Sequence, residues 1–123
     1  MILVDTSIWV DHFKSGDPLL VRLLEDDSVL IHRWVVGELA LGVWRERAAI
    51  FAGLAALPRA AEASDGEILA LIERRTLFGV GIGYVDAGLL ASTILTVGST
   101  LWTRDKRLLA AAETLGIAAR TAH

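Results

Sequence analysis

An α/β fold with a small, mainly parallel sheet is the class this sequence predicts, on three observations. Short apolar runs at Ile2–Val4, Val29–Ile31 and Thr100–Trp102 have the length and composition of strands buried on both faces. Segments with helix start and stop signals lie between them. Strands that alternate with helices pair in parallel, because each crossover needs a helix to carry the chain back.

The elements follow in order. Met1 to Val4 ends on Asp5, and Asp5 or Thr6 suits the cap of a segment through Ile8, Trp9 and Val10. Asp17-Pro18 reads as an N-cap with proline at the first helical position, opening Leu19 to Glu25. Ser64 and Glu67 form a capping box before Ile68 to Ile72. Weaker strand candidates lie near Pro58–Ala61 and Ile117–Ala119, and Leu77 to Gly83 is a glycine-rich loop. Tyr84 to Val97 is apolar almost all round, which predicts a buried helix stopped by Gly98. Lys106 to Leu115 forms the last helix, ended by Gly116. Ala87 to Thr103 carries no charge, but its threonines, its serines and Gly98 mark a helix followed by a strand, not a membrane span.

Composition sets the outer limits. The 123 residues predict one domain over 1–123, large enough for a core. An apolar fraction of 54% and a mean hydropathy of +0.52 predict apolar surface covered by a partner or a second copy. The absence of cysteine excludes disulfides and thiolate metal sites. No basic segment followed by a long apolar one opens the chain, so a cytoplasmic location is expected. The net charge of −3 argues at first against nucleic acid as a partner.

The acids are placed where acids are expensive. Asp5 is the only charge in the first ten residues, Glu38 the only one between Arg33 and Arg45, and Asp86 the only one between Arg75 and Arg104. Asp105 follows the third strand, among Arg104, Lys106 and Arg107. Parallel sheets put their sites at the carboxyl ends of their strands, where Asp5 and Asp105 would lie. Glu38 and Asp86 would reach the same rim from the first turns of helices. Gathered carboxylates repel unless a cation neutralises them, and an all-oxygen set suits Mg²⁺ or Mn²⁺. Taken singly, Asp5 and Asp105 serve equally well as helix caps, and Asp86 as a complement to a helix dipole.

With these four acids in order, the chain resembles the PIN-domain ribonucleases, and among them the VapC toxins of bacterial toxin–antitoxin pairs. The matching stretches are MILVDTSIWVDH, VVGELALG, YVDAGLLAS and LWTRDKRLLAAAETLGI, which span nearly the whole chain. The resemblance implies a three-layer α/β/α sandwich and a Mg²⁺ or Mn²⁺ site made by Asp5, Glu38, Asp86 and Asp105. It gives Thr6 and Thr103 supporting roles. Asp5 and Asp86 are assigned as principal ligands, with Glu38 and Asp105 acting through water or a second ion. It also implies an RNA substrate cut by water to 5′-phosphate and 3′-hydroxyl ends, a homodimer, and a cognate antitoxin that covers the site.

On this reading the charge falls into place. Without the four site acids the chain has 12 basic and 11 acidic residues, so the net acidity is concentrated at the site. Arg104, Lys106 and Arg107 are the candidate contacts to the RNA backbone, with Arg45, Arg47, Arg74 and Arg75 as further cationic surface. Most of Trp9, Trp34, Trp44 and Trp102 belong in the core, and His12, His32 and His123 form no ligand pattern.

Other chemistries fit less well. An aspartyl-phosphate phosphatase needs a second aspartate where Ser7 stands. A P-loop nucleotidase needs GxxxxGK[ST], which is missing. Gly79, Gly81 and Gly83 do not open a helix directly after a strand, as a dinucleotide fingerprint requires. A histidine-based ribonuclease would be metal-independent and leave cyclic phosphates. A domain that binds RNA or protein without cleaving it is the remaining alternative.

Overall fold

Ile2–Val4 forms β1, the middle strand of a three-stranded parallel sheet ordered β2-β1-β3. The structure is a computed structural model and describes residues 1–121. β2 is Val29–Leu30 and β3 is Thr100–Trp102. Leu3 of β1 faces Leu30 on one side and Leu101 on the other. Seven helices accompany the sheet among the described residues: α1 Thr6–Ser15, α2 Pro18–Glu25, α3 Arg33–Ala40, α4 Arg47–Ala55, α5 Asp65–Arg74, α6 Tyr84–Leu95 and α7 Lys106–Thr114.

Single bridges lengthen the sheet at both edges. The Leu101 amide bonds to the Ile117 carbonyl and its carbonyl accepts from Ala119, each at 2.8 Å. Ile31 does the same with Pro58 and Ala60, at 2.9 and 3.0 Å. The two weaker strand candidates are therefore isolated bridges, and Ile31 belongs to a bridge rather than to β2. From β1 the chain moves to β2 on one side, whereas from β3 it moves to Ala118 on the other. That reversal leaves a crevice between the ends of β1 and β3, the place where open α/β sheets carry their sites.

Leu3, Val4, Ile8, Leu89, Leu101 and Leu108 are among the fully buried side chains that join the sheet to its helices. Each such burial contributes about 1.5–3 kcal/mol. Helix starts follow the sequence signals closely. Asp17 caps α2 through the Leu20 amide at 3.0 Å, and Ser64 and Glu67 make their reciprocal box on α5.

Three details depart from expectation. α6 ends at Leu95 with Thr96 extended, and its buried stretch is Ala87 to Thr93, with Ile94, Leu95 and Val97 exposed. α4 has no sequence signal: Glu46 precedes it in the left-handed region at φ 54° with no side-chain cap bond. It is tied down instead by the Arg47 guanidinium, which donates to the Ala40 and Gly42 carbonyls at 2.7 and 2.9 Å. The histidines are backbone acceptors. Nδ1 of His32 accepts from the Trp34 amide and caps α3, and Nδ1 of His12 accepts from Asp17, both at 3.0 Å. His123 lies outside the described residues.

Candidate active site

The last sheet bond of β1 is made by Asp5, whose amide donates to the Trp102 carbonyl at 2.9 Å. The chain then turns into α1 with Asp5 as its cap. Asp5 is 7% exposed, a costly place for a carboxylate without donors. Its Oδ1 accepts from the Thr6 amide at 2.8 Å, and its Oδ2 from the Thr103 hydroxyl at 2.7 Å and the Ser7 hydroxyl at 3.2 Å.

The two threonines join the acids in pairs. Thr6 binds Asp5 through its amide and donates its hydroxyl to Oε1 of Glu38 at 2.7 Å. Thr103, buried at the end of β3, donates to Asp5 and accepts from the Asp105 amide at 3.1 Å. Asp105 is exposed and caps α7, its Oδ1 accepting from the Arg107 and Leu108 amides at 3.0 Å. The cap role and the site role of Asp5 and Asp105 are therefore compatible, because capping leaves acceptor capacity on each carboxylate.

Asp86 stands in the first turn of α6, as expected, and its Oδ2 accepts from the Gly83 amide at 3.4 Å. Glu38 is exposed and comes from the second turn of α3, not the first, because the cap of α3 is His32. Gly88 lets these two helices approach: a Cβ there would lie 2.3 Å from Cζ3 of Trp34 on α3. Burial pushes the Asp86 carboxyl above its usual range, against the opposing Gly83 amide. The charges of Asp5, Asp105 and Glu38 push it further in the same direction.

Ser7 is a participant the sequence reading missed. It donates to Asp5 and accepts from the Arg104 amide at 3.2 Å, joining the β1 and β3 ends a second time. A second hydroxyl directly after Asp5-Thr6 was the available signal.

Arg104 differs from its expected role. Its guanidinium lies 2.6 Å from Asp11 and 2.6 Å from Asp17, with its carbon 5.8 Å from the centre of the Trp102 ring. It is a brace between α1, the start of α2 and the β3–α7 turn, not a free cation. Burial would raise the Asp17 carboxyl, but the Leu20 amide and Arg104 outweigh it and hold it below its usual value. Lys106 and Arg107 are exposed and pair with no carboxylate among the described residues.

The donor set fits a hard cation in its chemistry: four carboxylates with threonine hydroxyls and no nitrogen or sulfur ligand. Among the described residues no group of three or more acids or histidines stands close enough together to hold a metal ion, so at most two carboxylates would meet one directly. An open set of this kind suits Mg²⁺, which is held by one or two carboxylates together with waters and substrate phosphate.

A small parallel sheet flanked by helices, with Asp5 and Asp105 just past the ends of β1 and β3, defines the class of this protein as α/β. The family model described as PIN domain matches residues 2–114, and the chain belongs to that family. Two curated relatives, each called Ribonuclease VapC32, come from Mycobacterium tuberculosis strains CDC 1551 / Oshkosh and ATCC 25618 / H37Rv. Each is 48% identical over 118 residues, covering 96% of this chain and 95% of the relative.

Proposed function

We propose that this protein is a Mg²⁺-dependent endoribonuclease, with Mn²⁺ as an alternative ion, that acts as the toxin of a toxin–antitoxin pair. A cognate VapB-like antitoxin inhibits it, and the active form is a cytoplasmic homodimer. The observation that supports the reading best is the hydrogen bonding of two threonines, Thr6 joining Asp5 to Glu38 and Thr103 joining Asp5 to the Asp105 backbone. The 48% identity to proteins named as ribonucleases supports the choice of RNA.

A bound divalent ion would supply Lewis-acid activation of the phosphoryl group and of an attacking water. Asp5 and Asp86 are the residues to hold it, with Glu38 and Asp105 contributing through water or a second ion. Thr6 and Thr103 hold their carboxylates in place through the bonds described above. Lys106 and Arg107 meet the RNA backbone as exposed cations beside Asp105.

The test is brief expression in a bacterial host with sequencing of RNA 5′-monophosphate ends, and Asp86→Asn as control. New ends at defined sites that the control reduces about 100-fold or more are expected, from loss of a metal-binding group. Purified protein should likewise lose cleavage in EDTA and regain it with Mg²⁺. Equal end profiles from two folded, antitoxin-free proteins would instead favour a domain that binds RNA or protein without cutting it.

A further inference from the structure

We propose that the cleft between the end of α5, the glycine-rich loop and α7 is a nucleotide subsite. It takes one nucleotide of single-stranded RNA flanking the bond cut at the acidic centre. The inference rests on the ribonuclease reading of that centre.

The cleft encloses about 310 Å³, within the span of roughly 300–1,000 Å³ typical of small-ligand sites. Leu77, Val80 and Ala110 contribute an apolar lining, and Arg75, Lys106 and Arg107 contribute three cations. No acidic side chain lines it, although the chain as a whole is acidic. None of these cations pairs with a carboxylate among the described residues. An apolar surface edged by unpaired positive charge recognises a flat ring that carries negative charge. A nucleotide has that chemistry, with the base on the aliphatic wall and its phosphates at the cations. Only an unpaired strand can place a splayed base there.

Two connections run from the cleft to the acids. The Arg107 amide donates to Oδ1 of Asp105 at 3.0 Å, so one residue touches the site through its backbone and the cleft through its side chain. That side chain lies against Gly81, where a Cβ would meet Cδ of Arg107 at 2.7 Å and φ is +84°. Leu77 is also shared with a second cleft of about 190 Å³ that reaches Gly83 and Tyr84, at the start of the helix carrying Asp86. The cleft thus adjoins Asp105 through Arg107 and the start of α6 through Leu77.

The full chain, isotope-labelled and assigned, would be titrated with adenosine 3′,5′-bisphosphate and separately with inorganic phosphate. The bisphosphate is expected to shift amides at 75–80 and 106–114, and inorganic phosphate to shift them far less. In parallel, oligoadenylate binding to the Asp86→Asn chain would be followed against salt, with and without Arg75→Gln. Loss of one backbone contact should reduce the slope of log affinity against log salt by about 0.7. Equal responses to the two probes, shifts confined to other regions, or an unchanged slope would overturn the subsite while leaving Asp86-dependent cleavage standing. Shifts at the cleft without any Asp86-dependent cleavage would overturn the ribonuclease reading, and with it this assignment.

Discussion

Thr103 shows how much one hydroxyl does in this site. It donates to the most buried acid and accepts from the backbone of another, so Thr103→Val leaves the Asp105 amide unpaired and Asp5 Oδ2 with only the longer Ser7 bond. A cost of about 1–3 kcal/mol is expected in urea unfolding, from the lost bond to the buried carboxylate and the unpaired Asp105 amide. The Mg²⁺ concentration for half-maximal RNA cleavage should rise about 10–100-fold, as for other residues that orient metal ligands. Thr103→Ser, which keeps the hydroxyl, should restore both; failure to restore the Mg²⁺ requirement would mean the methyl group matters, not the bond.

Arg104 gives a second prediction at this scale. Its guanidinium is part-exposed, so each ion pair contributes no more than about 1 kcal/mol and Arg104→Gln should cost at most about 2 kcal/mol. What the brace sets is the placement of the turn that holds Thr103 and Asp105. The expected signature is a lower kcat with unchanged KM and unchanged salt dependence. A salt slope reduced by about 0.7 would show instead that Arg104 contacts RNA.

At the scale of an element, α3 carries Glu38 and depends on a neutral histidine. His32 accepts the Trp34 amide at Nδ1, which places its proton on Nε2, 3.2 Å from the Ser92 hydroxyl. Protonating Nδ1 would set two N–H groups against each other and undo the cap. Burial lowers the His32 pKa; Glu62 opposes this and Arg33 adds to it, and those two residues pair at 2.9 Å. A histidine with a lowered folded pKa stabilises the fold fully above its unfolded value of about 6.5. That stability is lost as the pH falls from there through the folded value. Melting curves between pH 7.5 and 4.5 should show this loss for the native chain relative to His32→Asn, which caps without titrating. Parallel curves would count against the cap.

The α3–α6 contact offers a related check. Gly88→Ala places a methyl group against Trp34 and should destabilise the protein by about 1–3 kcal/mol through overpacking. A fall in thermal stability with the acids intact would show that this close approach supports the site from outside it.

Over the whole molecule, the apolar excess collects at identifiable places. Leu41 and Val43 are 89% and 97% exposed on the turn after α3, and Val97 is 96% exposed beyond α6. No helix among the described residues is long and apolar enough to cross a membrane. Apolar side chains this exposed suit burial against another protein surface. If the turn after α3 lies in the proposed homodimer, Leu41→Glu with Val43→Glu should halve the mass found by light scattering. An unchanged dimer mass would move the seam elsewhere, and a native monomer would remove it.

What the sequence determined by itself is local. The Asp17-Pro18 start, the Ser64–Glu67 box and the Gly116 stop act within four residues of themselves, and the structure follows them, whereas α6 ends at Leu95, short of the Gly98 stop. Asp5, Glu38 and Asp86 stood out as lone charges in apolar stretches, and the metal site they would form with Asp105 is the proposal above. α4 was not legible, because an alanine-rich segment without a cap or a polar face carries no periodic signal.

The tertiary structure decided who meets whom. Thr6 reaches Glu38 across 32 positions once α1 packs on α3, and Thr103 reaches Asp5 across 98 once β1 and β3 lie side by side. Closure between β3 and the α1–α2 region also sets Arg104 between Asp11 and Asp17. Hydrogen-bond partners depend on distances of about 3 Å, which chain closure sets and residue type alone does not.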